Sequence, residues 1–337
     1  MNFAMWRKAL TVIPNVSKSE WDGLDIISKW LISTRAAVLA MTFTSALLAG
    51  LFAWRDNSFN LLPWITLAFG LIMAHAGNNL LNDYVDHARG VDKDNYFRTM
   101  YGPHPLNNQL MTKSQHLAYF SVTGLLALAS GLWLAWYNGF HTISWILLGS
   151  GALLLLFYTW PLKYIALGEL AVLIVWGPLM IGGGYYVITK SWDWNVTIAS
   201  LVYALSVTTV IFGKHIDKLD ADKAKHIHTL PSLLGEKVSR MTVLGMIVLA
   251  FVLIVYLVVT GYFTPVILIT VFALPRLRHI LPAFLQPKPA ARPENFPDGQ
   301  GGWPLYFAPM AFWFTRTFGS YFFLGLLADT ILIKFIF

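Results

Sequence analysis

The sequence predicts an all-α, polytopic membrane protein with about nine helices around a central cavity. Of the 337 residues, 56% are hydrophobic and only 12% are charged, against about 25% charged residues in an average soluble domain. The apolar residues gather in runs of about 20, the length that crosses a bilayer as a helix. Lys and Arg concentrate in alternate connections between those runs, as expected for a membrane protein with a fixed orientation.

The N-terminal thirty residues differ in character from the rest. They contain no short apolar segment followed by a small-residue cleavage site, so we expect no removable signal peptide. Residues 1–30 are predicted to form a polar, Trp-bearing cytoplasmic segment along the membrane interface, and residues 31–337 a single transmembrane domain. The chain has no Cys, which excludes disulfides, thiolate catalysis and Cys-ligated metal sites.

Nine spans follow one another along the chain. They cover residues 32–54, 61–82, 115–137, 142–159, 165–189, 196–216, 240–261, 263–283 and 305–336. The eighth is the least regular, because Pro275 interrupts it and basic residues follow. Residues 281–304 are rich in Pro and Gly, which predicts a cytoplasmic connection without helix.

The distribution of Lys and Arg predicts the orientation. With nine spans, the N-terminus and the loops after the even-numbered spans share one side of the membrane. The opposite side receives only Arg55, Lys190 and Lys334. The positive-inside rule places the N-terminus and the charged loops in the cytoplasm of a bacterial or archaeal-type cell membrane. The formal charge of +7 then reflects topology, and no nucleic-acid partner is predicted.

A first acidic stretch, residues 78–94, begins inside the second apolar run and ends in charged loop. Asn79, Asn82, Asp83 and Asp86 are three or four residues apart, so they share one helix face. Carboxylates placed this close repel each other unless a cation lies between them. Hard oxygen ligands of this kind suit Mg²⁺ or Ca²⁺.

A second acidic stretch, residues 213–223, ends the sixth span. Lys214, Asp217 and Asp220 can share a helix face, whereas Asp222 lies off that face unless the helix loosens after Leu219. Alone, such a run is typical of a solvated helix end. Because the second and sixth spans end on the same side, the two stretches together predict a metal site.

An isoprenoid diphosphate fits this combination of charge and apolar cavity. Metal ions and basic side chains would bind its phosphates, and the cavity would accept its hydrocarbon tail. Breaking the allylic carbon–oxygen bond puts charge on the leaving diphosphate, which metal ions stabilise. The remaining carbocation needs π faces, and five aromatic residues are candidates, although each could equally be interfacial or core packing: Tyr158, Trp160, Trp176, Tyr185 and Tyr186.

Several motifs resemble the UbiA superfamily of intramembrane prenyltransferases. Residues 82–86 (Asn-Asp-Tyr-Val-Asp), residues 90–92, Arg98 and residues 102–106 are similar to its first aspartate-rich motif and following loop. Residues 158–169 and 177–185 are similar to helices four and five of the branch that prenylates 1,4-dihydroxy-2-naphthoate for menaquinone. The resemblance covers about residues 30–285.

The resemblance implies two Mg²⁺ ions held between the two aspartate motifs and an allylic diphosphate. The implied metal ligands are Asp83, Asp86, Asp92, Asp217, Asp220 and Asp222, of which Asp83, Asp86, Asp217 and Asp222 are assigned to catalysis. The implied diphosphate contacts are Asn82, Arg98, Tyr158, Lys163 and Lys214.

The chain also departs from the family pattern. Gly90 stands where the first motif commonly has its last aspartate, and His104 replaces a usually basic residue. The second motif aligns in two registers, one using Asp217 and the other Asp222.

Three functions remain open from the sequence. The first is Mg²⁺-dependent transfer of a prenyl group from a polyprenyl diphosphate to an aromatic acceptor of the naphthoate or benzoate type, in contact with membrane lipid. The second is a terpene synthase or cyclase on the same scaffold. The third is an ion-coupled membrane carrier, since carboxylates at helix breaks also bind ions in transporters.

Overall fold

The computed structural model describes residues 1–92, 102–294 and 303–336. Within these ranges the chain is helical, and we number its helices in chain order. They are α1 (Phe3–Thr11), α2 (Lys18–Asp22), α3 (Ile26–Ser33), α4 (Ala36–Arg55), α5 (Leu61–Ala88), α6 (Lys113–Tyr137), α7 (Thr142–Phe157), α8 (Gly168–Thr189), α9 (Trp194–Asp217), α10 (Leu219–Ala224), α11 (Leu230–Val259), α12 (Pro265–Leu285) and α13 (Phe307–Phe335).

The all-α membrane fold predicted from the sequence is confirmed. Eight helices in the described part of the chain are long and apolar enough to cross a membrane, and α7 is apolar but only 16 residues long. These nine coincide with the nine predicted spans. Helix α5 extends beyond its apolar run to Ala88, because helical hydrogen bonding continues into polar sequence that hydropathy does not mark. Helix α11 begins at Leu230, but Gly235 has a non-helical backbone conformation (φ 78°, ψ 165°), so a kink separates its first residues from the predicted span.

The N-terminal segment forms three short helices that pack on the membrane-spanning part. Helix α2 begins with a capping box between Ser17 and Glu20, and Asp25 accepts hydrogen bonds from the first turn of α3. Trp21 belongs to a buried apolar cluster with Leu110 and Met111. The segment therefore folds against the chain that follows the first acidic stretch.

Helix α9 lies at the centre of the bundle. It packs against α8, α11 and α13, and most of its residues are buried, including Val202 and Tyr203. An added Cβ at Gly319 of α13 would lie 2.8 Å from the Tyr203 ring, so the glycine permits close approach of the two helices. Helices α6 and α7 lie at the outside and expose most of their surface, as expected for helices facing lipid.

Helices α8 and α12 depart from regular α-helix. Residues Val175–Gly182 of α8 are π-helical around Pro178, consistent with the lost donor of a proline inside a helix. Helix α12 is a 3₁₀-helix over Pro265–Arg276 and an α-helix over Leu277–Leu285. The irregularity expected near Pro275 is present. Residues 281–285 are helical, so the prediction that residues 281–304 contain no helix is wrong for its first five residues. The non-helical connection begins at Gln286. Pro282 lies inside the helix, and a proline there removes one backbone hydrogen bond without ending this helix.

Buried polar contacts connect helices at the end of the bundle opposite the acidic stretches. Arg55 Nε lies 2.9 Å from Asp329 Oδ2, and the backbone N–H and hydroxyl of Thr264 donate to Asp329 Oδ1. The Asp329 side chain is fully buried. These contacts connect α4, the start of α12 and the end of α13.

We predict that Gly213→Ala destabilises the protein. An added Cβ would lie 2.8 Å from both the carbonyl carbon and the oxygen of Phe307, and this backbone cannot rotate away. We expect a loss of about 1–3 kcal/mol, measured by reversible unfolding in mixed micelles.

Gly245→Ala on exposed α11 is the matched control, because an added Cβ there meets nothing within 4 Å. It should change stability by less than about 1 kcal/mol. Equal effects of the two substitutions would contradict the close packing of α9 against the start of α13.

Candidate active site

The first acidic stretch lies at the end of α5, as the sequence predicts. Asp83 is buried, and its Oδ1 lies 2.9 Å from Arg35 Nη2. Arg35 adopts a left-handed backbone conformation (φ 56°) directly before α4 and also donates to the carbonyl oxygen of Asn79. The Asn79 side chain in turn donates to Thr34 O. The start of α4 and the end of α5 are thereby fixed to one another at the site.

Asp86 pairs with Lys163 from a different part of the chain. Lys163 Nζ lies 3.1 Å and 3.3 Å from the two oxygens of Asp86. A short 3₁₀ turn, Leu162–Tyr164, positions the lysine after Pro161. Burial alone would lower the pKa of Lys163, but the carboxylates of Asp86 and Asp222 outweigh it and raise that pKa above its ordinary value. Lys163 therefore lies in the field of both acidic stretches.

The second acidic stretch changes direction after α9. Helix α9 ends at Asp217, Lys218 is non-helical, and α10 carries Asp222. This is the loosening that brings Asp222 inward, where it is 2% exposed and lies 3.6 Å from Lys218 Nζ. Lys225 Nζ also donates to the carbonyl oxygen of Val91. The structure thus brings the ends of the two stretches together.

Asp217 and Asp220 lie differently from Asp222. Both oxygens of Asp217 accept hydrogen bonds from backbone N–H groups of residues 306–308, at 2.9–3.1 Å. These contacts make Asp217 the cap of α13, with Lys288 Nζ 3.9 Å from Oδ1. Asp220 is exposed. Asp222 is therefore the carboxylate of this stretch that the structure places beside the first.

Asp92 is held by a histidine. Its Oδ2 lies 3.0 Å from His104 Nε2, with both side chains buried. The backbone N–H groups of Leu106 and Asn107 point at His104 Nδ1, at 3.3 Å each, so Nδ1 is the acceptor and Nε2 carries the proton. Nε2 faces Asp92 at close range but does not form a hydrogen bond with it. The predicted phosphate contact Arg98 lies outside the described residues.

A cavity of about 860 Å³ opens beside these ion pairs. Its polar end is formed by Arg35, Asn79, Asn82, Tyr158 and Lys214, and the remaining lining is mostly apolar. The predicted diphosphate contacts Asn82, Tyr158 and Lys214 therefore lie at one end of a long apolar chamber.

The five candidate aromatic residues do not all lie at the cavity in the structure. Tyr158 and Trp176 line the cavity. Tyr185 donates to Asp56 at the far end of the bundle, and Trp160 stacks against Arg89.

Sequence reasoning missed two features of the site. Arg35 belongs to none of the sequence motifs, yet it lies beside Asp83 and lines the cavity. The buried pair of Glu169 Oε1 and His215 Nδ1, 2.6 Å apart, also went unpredicted; Leu230 N–H donates to the same oxygen. The one local signal for either was an ionisable residue at the edge of an apolar run.

The oxygen atoms at the site suit a hard cation. Asn82 Oδ1 and Asp222 Oδ2 are buried and accept no hydrogen bond from any described residue. No group of three His, Asp or Glu residues converges on one point within residues 1–92, 102–294 and 303–336. This arrangement fits Mg²⁺, which is usually held by one or two carboxylates together with substrate phosphates and water.

The fold and the site define an intramembrane helical protein with a charged chamber at one end of an apolar cavity. The chain belongs to the UbiA prenyltransferase family, whose model matches residues 43–294. The confirmed class is therefore a family of membrane prenyltransferases.

The individual relatives have low sequence identity to this chain. The 2-carboxy-1,4-naphthoquinone phytyltransferase of Synechocystis is 30% identical over 62% of this chain and 67% of its own. The 1,4-dihydroxy-2-naphthoate octaprenyltransferase of Escherichia coli is 24% identical over 63% of this chain and 70% of its own. A UbiA prenyltransferase domain-containing protein 1 homolog of Drosophila melanogaster is 26% identical over 64% of this chain, which spans 60% of that relative.

Solved structures share the fold. A UbiA homolog from Archaeoglobus fulgidus bound to GPP and Mg²⁺ superimposes with a TM-score of 0.57 at 13% identity, covering 89% of this chain and 99% of that one. A digeranylgeranylglyceryl phosphate synthase gives the same TM-score at 18% identity, covering 90% and 98%.

We predict that Asp217 acts as a helix cap. Asp217→Ala should then cost about 0.5–2 kcal/mol of stability, while Asp217→Asn, which keeps one acceptor oxygen, should leave the Mg²⁺ concentration for half-maximal turnover unchanged. A magnesium titration of purified Asp217→Asn tests this.

Asp25→Ala removes a comparable cap from α3, where Asp25 accepts from Ile27 and Ser28, and serves as the control for stability. A several-fold rise in the Mg²⁺ requirement of Asp217→Asn alone would restore Asp217 to the metal ligands implied by the family.

Proposed function

We propose that this protein transfers a prenyl group from an isoprenoid diphosphate to an aromatic acceptor within the membrane, in a Mg²⁺-dependent reaction. The observation that carries the proposal is the cavity itself: cations and amides line one end, and the rest is apolar. An amphipathic substrate with a diphosphate head and a hydrocarbon tail matches both parts.

The head of the substrate would meet basic side chains. Arg35 and Lys214 line the polar end of the cavity, and Lys163 lies behind it against Asp86. Guanidinium and ammonium groups bind phosphate oxygens through charge-assisted hydrogen bonds. Arg98 remains a proposed phosphate contact from its sequence motif.

Magnesium would be held by Asp83, Asp86 and Asp222, with Asn82 contributing a further oxygen. Bound there, it would supply electrostatic stabilisation for the charge that develops on the departing diphosphate. Two ions are proposed, because two separate stretches present carboxylates. Asp92 stays in the proposed ligand set through its motif, whereas Asp217 caps α13 and Asp220 is exposed, so we propose no metal contact for these two.

The protein's own groups would shape the reaction. The allylic carbon–oxygen bond breaks and its electron pair leaves with the diphosphate, where Arg35, Lys163 and Lys214 offset the new charge. A carbon–carbon bond then forms to the acceptor ring, which gives up a proton or its carboxyl group. The apolar wall excludes water that would otherwise capture the carbocation, and the faces of Tyr158 and Trp176 stabilise it.

The acceptor is proposed to be a dihydroxynaphthoate-type ring. The named functions of two bacterial relatives support this, since both concern naphthoquinone or naphthoate substrates. We also propose that the site faces the cytoplasm of a cell membrane, because the positive-inside rule places the connections that carry both acidic stretches on that side.

Asp86→Asn should reduce turnover by at least about a hundredfold, because the group that balances Lys163 and would hold Mg²⁺ is neutralised. Product mass after incubation with a polyprenyl diphosphate, Mg²⁺ and a panel of aromatic acceptors measures this. Asp22→Asn on exposed α2 is the control and should retain full activity.

Undiminished turnover by Asp86→Asn would show that the metal is held elsewhere. A cyclic hydrocarbon formed without any acceptor would indicate a terpene synthase, and transport without a covalent product would indicate a carrier.

We predict that a large side chain introduced at position 151 would limit the length of prenyl chain that the cavity accepts. Ser144 and Tyr158 both line the cavity and are 14 positions apart, or about 21 Å along a helix. One isoprene unit adds four carbons to the chain, and its extended length is about 5 Å, estimated from the length of the three-atom peptide repeat. A cavity of this length therefore accommodates about four isoprene units or more. Gly151 lines it midway, and an added Cβ meets nothing within 4 Å.

Gly151→Phe should therefore reduce transfer of long prenyl chains about tenfold or more, from an overlap of about 1–3 kcal/mol, and spare a ten-carbon donor. Gly149→Phe is the matched control, because Gly149 is equally open but does not line the cavity. Equal losses for short and long donors would contradict this assignment of the tail.

A further inference from the structure

A second, smaller cavity lies on the outer surface between α12 and α13. Its volume is about 390 Å³, and its lining includes Arg276, Arg278, His279, Thr317, Phe272 and Tyr321. It shares no lining residue with the central cavity. We call it the basic crevice.

The cations of the basic crevice have no acidic partner in the part of the chain that the structure describes. No carboxylate among the described residues forms an ion pair with Arg276 or Arg278. Arg276 instead lies 4.2 Å from the centre of the Trp313 ring, and Arg278 Nε donates to His279 Nε2 at 2.9 Å. His279 accepts this hydrogen bond through Nε2, so its proton is on Nδ1 and the ring is neutral. Two guanidinium charges are thus left without a balancing carboxylate within residues 1–92, 102–294 and 303–336.

These charges lie within an apolar span. Arg276 and Arg278 belong to α12, which is long and apolar enough to cross a membrane. Uncompensated charge at such a position is costly and is retained where it binds something. Arg316 of α13 follows Trp313 by three residues and is exposed, so it adds a third cation to the same face.

The basic crevice lies on the same side of the bundle as the acidic stretches. Arg278 is about 10 Å along the helix from Leu285. At that end of α12, Arg240 Nη1 donates to Phe284 O, and Lys288 Nζ is 3.9 Å from Asp217. The exposed residues Phe272 and Leu281 give the surrounding surface an apolar character. A ligand there would meet positive charge at the membrane interface and hydrocarbon beside it.

We propose that the basic crevice binds the phosphate group of an anionic phospholipid, with its acyl chains along the surface of α12 and α13. A guanidinium group can bind a phosphate through two parallel N–H···O hydrogen bonds. Basic pockets between membrane helices, on the side of the membrane rich in Lys and Arg, are suited to phospholipid headgroups. The Arg276 guanidinium carbon lies 4.2 Å from the centre of the Trp313 ring, and this cation–π contact uses none of the guanidinium N–H groups that would bind the ligand.

The test uses the full chain purified in detergent and stripped of lipid. Dioleoylphosphatidylglycerol and dioleoylphosphatidylcholine are added separately, and native mass spectrometry counts the lipids retained. The double variant Arg276→Gln/Arg278→Gln should bind phosphatidylglycerol about tenfold or more weakly, whereas phosphatidylcholine binding should not change. Lys113→Gln/Lys237→Gln, which removes two positive charges from α6 and α11, is the matched control and should bind as the parent does.

Two further arms keep the proposal testable. Arg276→Lys/Arg278→Lys retains both charges, so it should fold even if the Gln variant does not, and it should retain part of the preference for phosphatidylglycerol. Inorganic phosphate at millimolar concentration should neither displace the lipid nor raise the thermal unfolding temperature.

Equal phosphatidylglycerol binding by the parent chain and the Gln variant would overturn the proposal, as would complete displacement by inorganic phosphate, which would identify a site for free anions. Because none of these measurements depends on turnover, their outcome is separate from that of the proposed prenyl transfer.

Discussion

The buried ion pair between Lys163 and Asp86 connects the parts of the site. It joins the turn before α8 to the end of α5, and Asp222 from α10 contributes to the charge around the same ammonium. Taking a lysine and a carboxylate out of water is costly, and only close geometry with additional partners offsets that cost. Three segments distant in sequence must therefore pack correctly before the pair is stable, and the polar end of the cavity exists only when they do.

Carboxylates also fix the last helix at both of its ends. Asp217 of α9 accepts from the first N–H groups of α13, and Asp329 near the other end of α13 pairs with Arg55 of α4. An N-terminal cap satisfies donors that have no intrahelical partner, and a buried pair specifies one arrangement of the helices it joins. In an apolar environment, packing alone distinguishes poorly between alternative arrangements of the helices. Polar contacts such as these are therefore well suited to specify which helices become neighbours.

Charge therefore has three separate uses in a chain with few charged residues. Pairs within the bundle, such as Arg55 with Asp329, hold helices in place. Pairs beside the cavity, such as Arg35 with Asp83, present groups that can exchange partners with a diphosphate and its metal. The cations of the basic crevice have no carboxylate partner among the described residues, and an anionic lipid would balance them from outside. The three sets differ in what balances the charge.

The sequence by itself determined the nine helices, their approximate bounds and the two acidic stretches, because hydropathy and three- to four-residue spacing are local properties. Motif resemblance and the second acidic stretch also led to the prediction that Asn82, Tyr158, Lys163 and Lys214 contact the diphosphate, and this stays a prediction. Only the tertiary structure showed that Arg35 meets Asp83 across 48 positions, and that Asp217 serves residues 306–308 while the bend at Lys218 turns Asp222 inward. Such assignments depend on which helices become neighbours, and that is decided by packing over the whole chain.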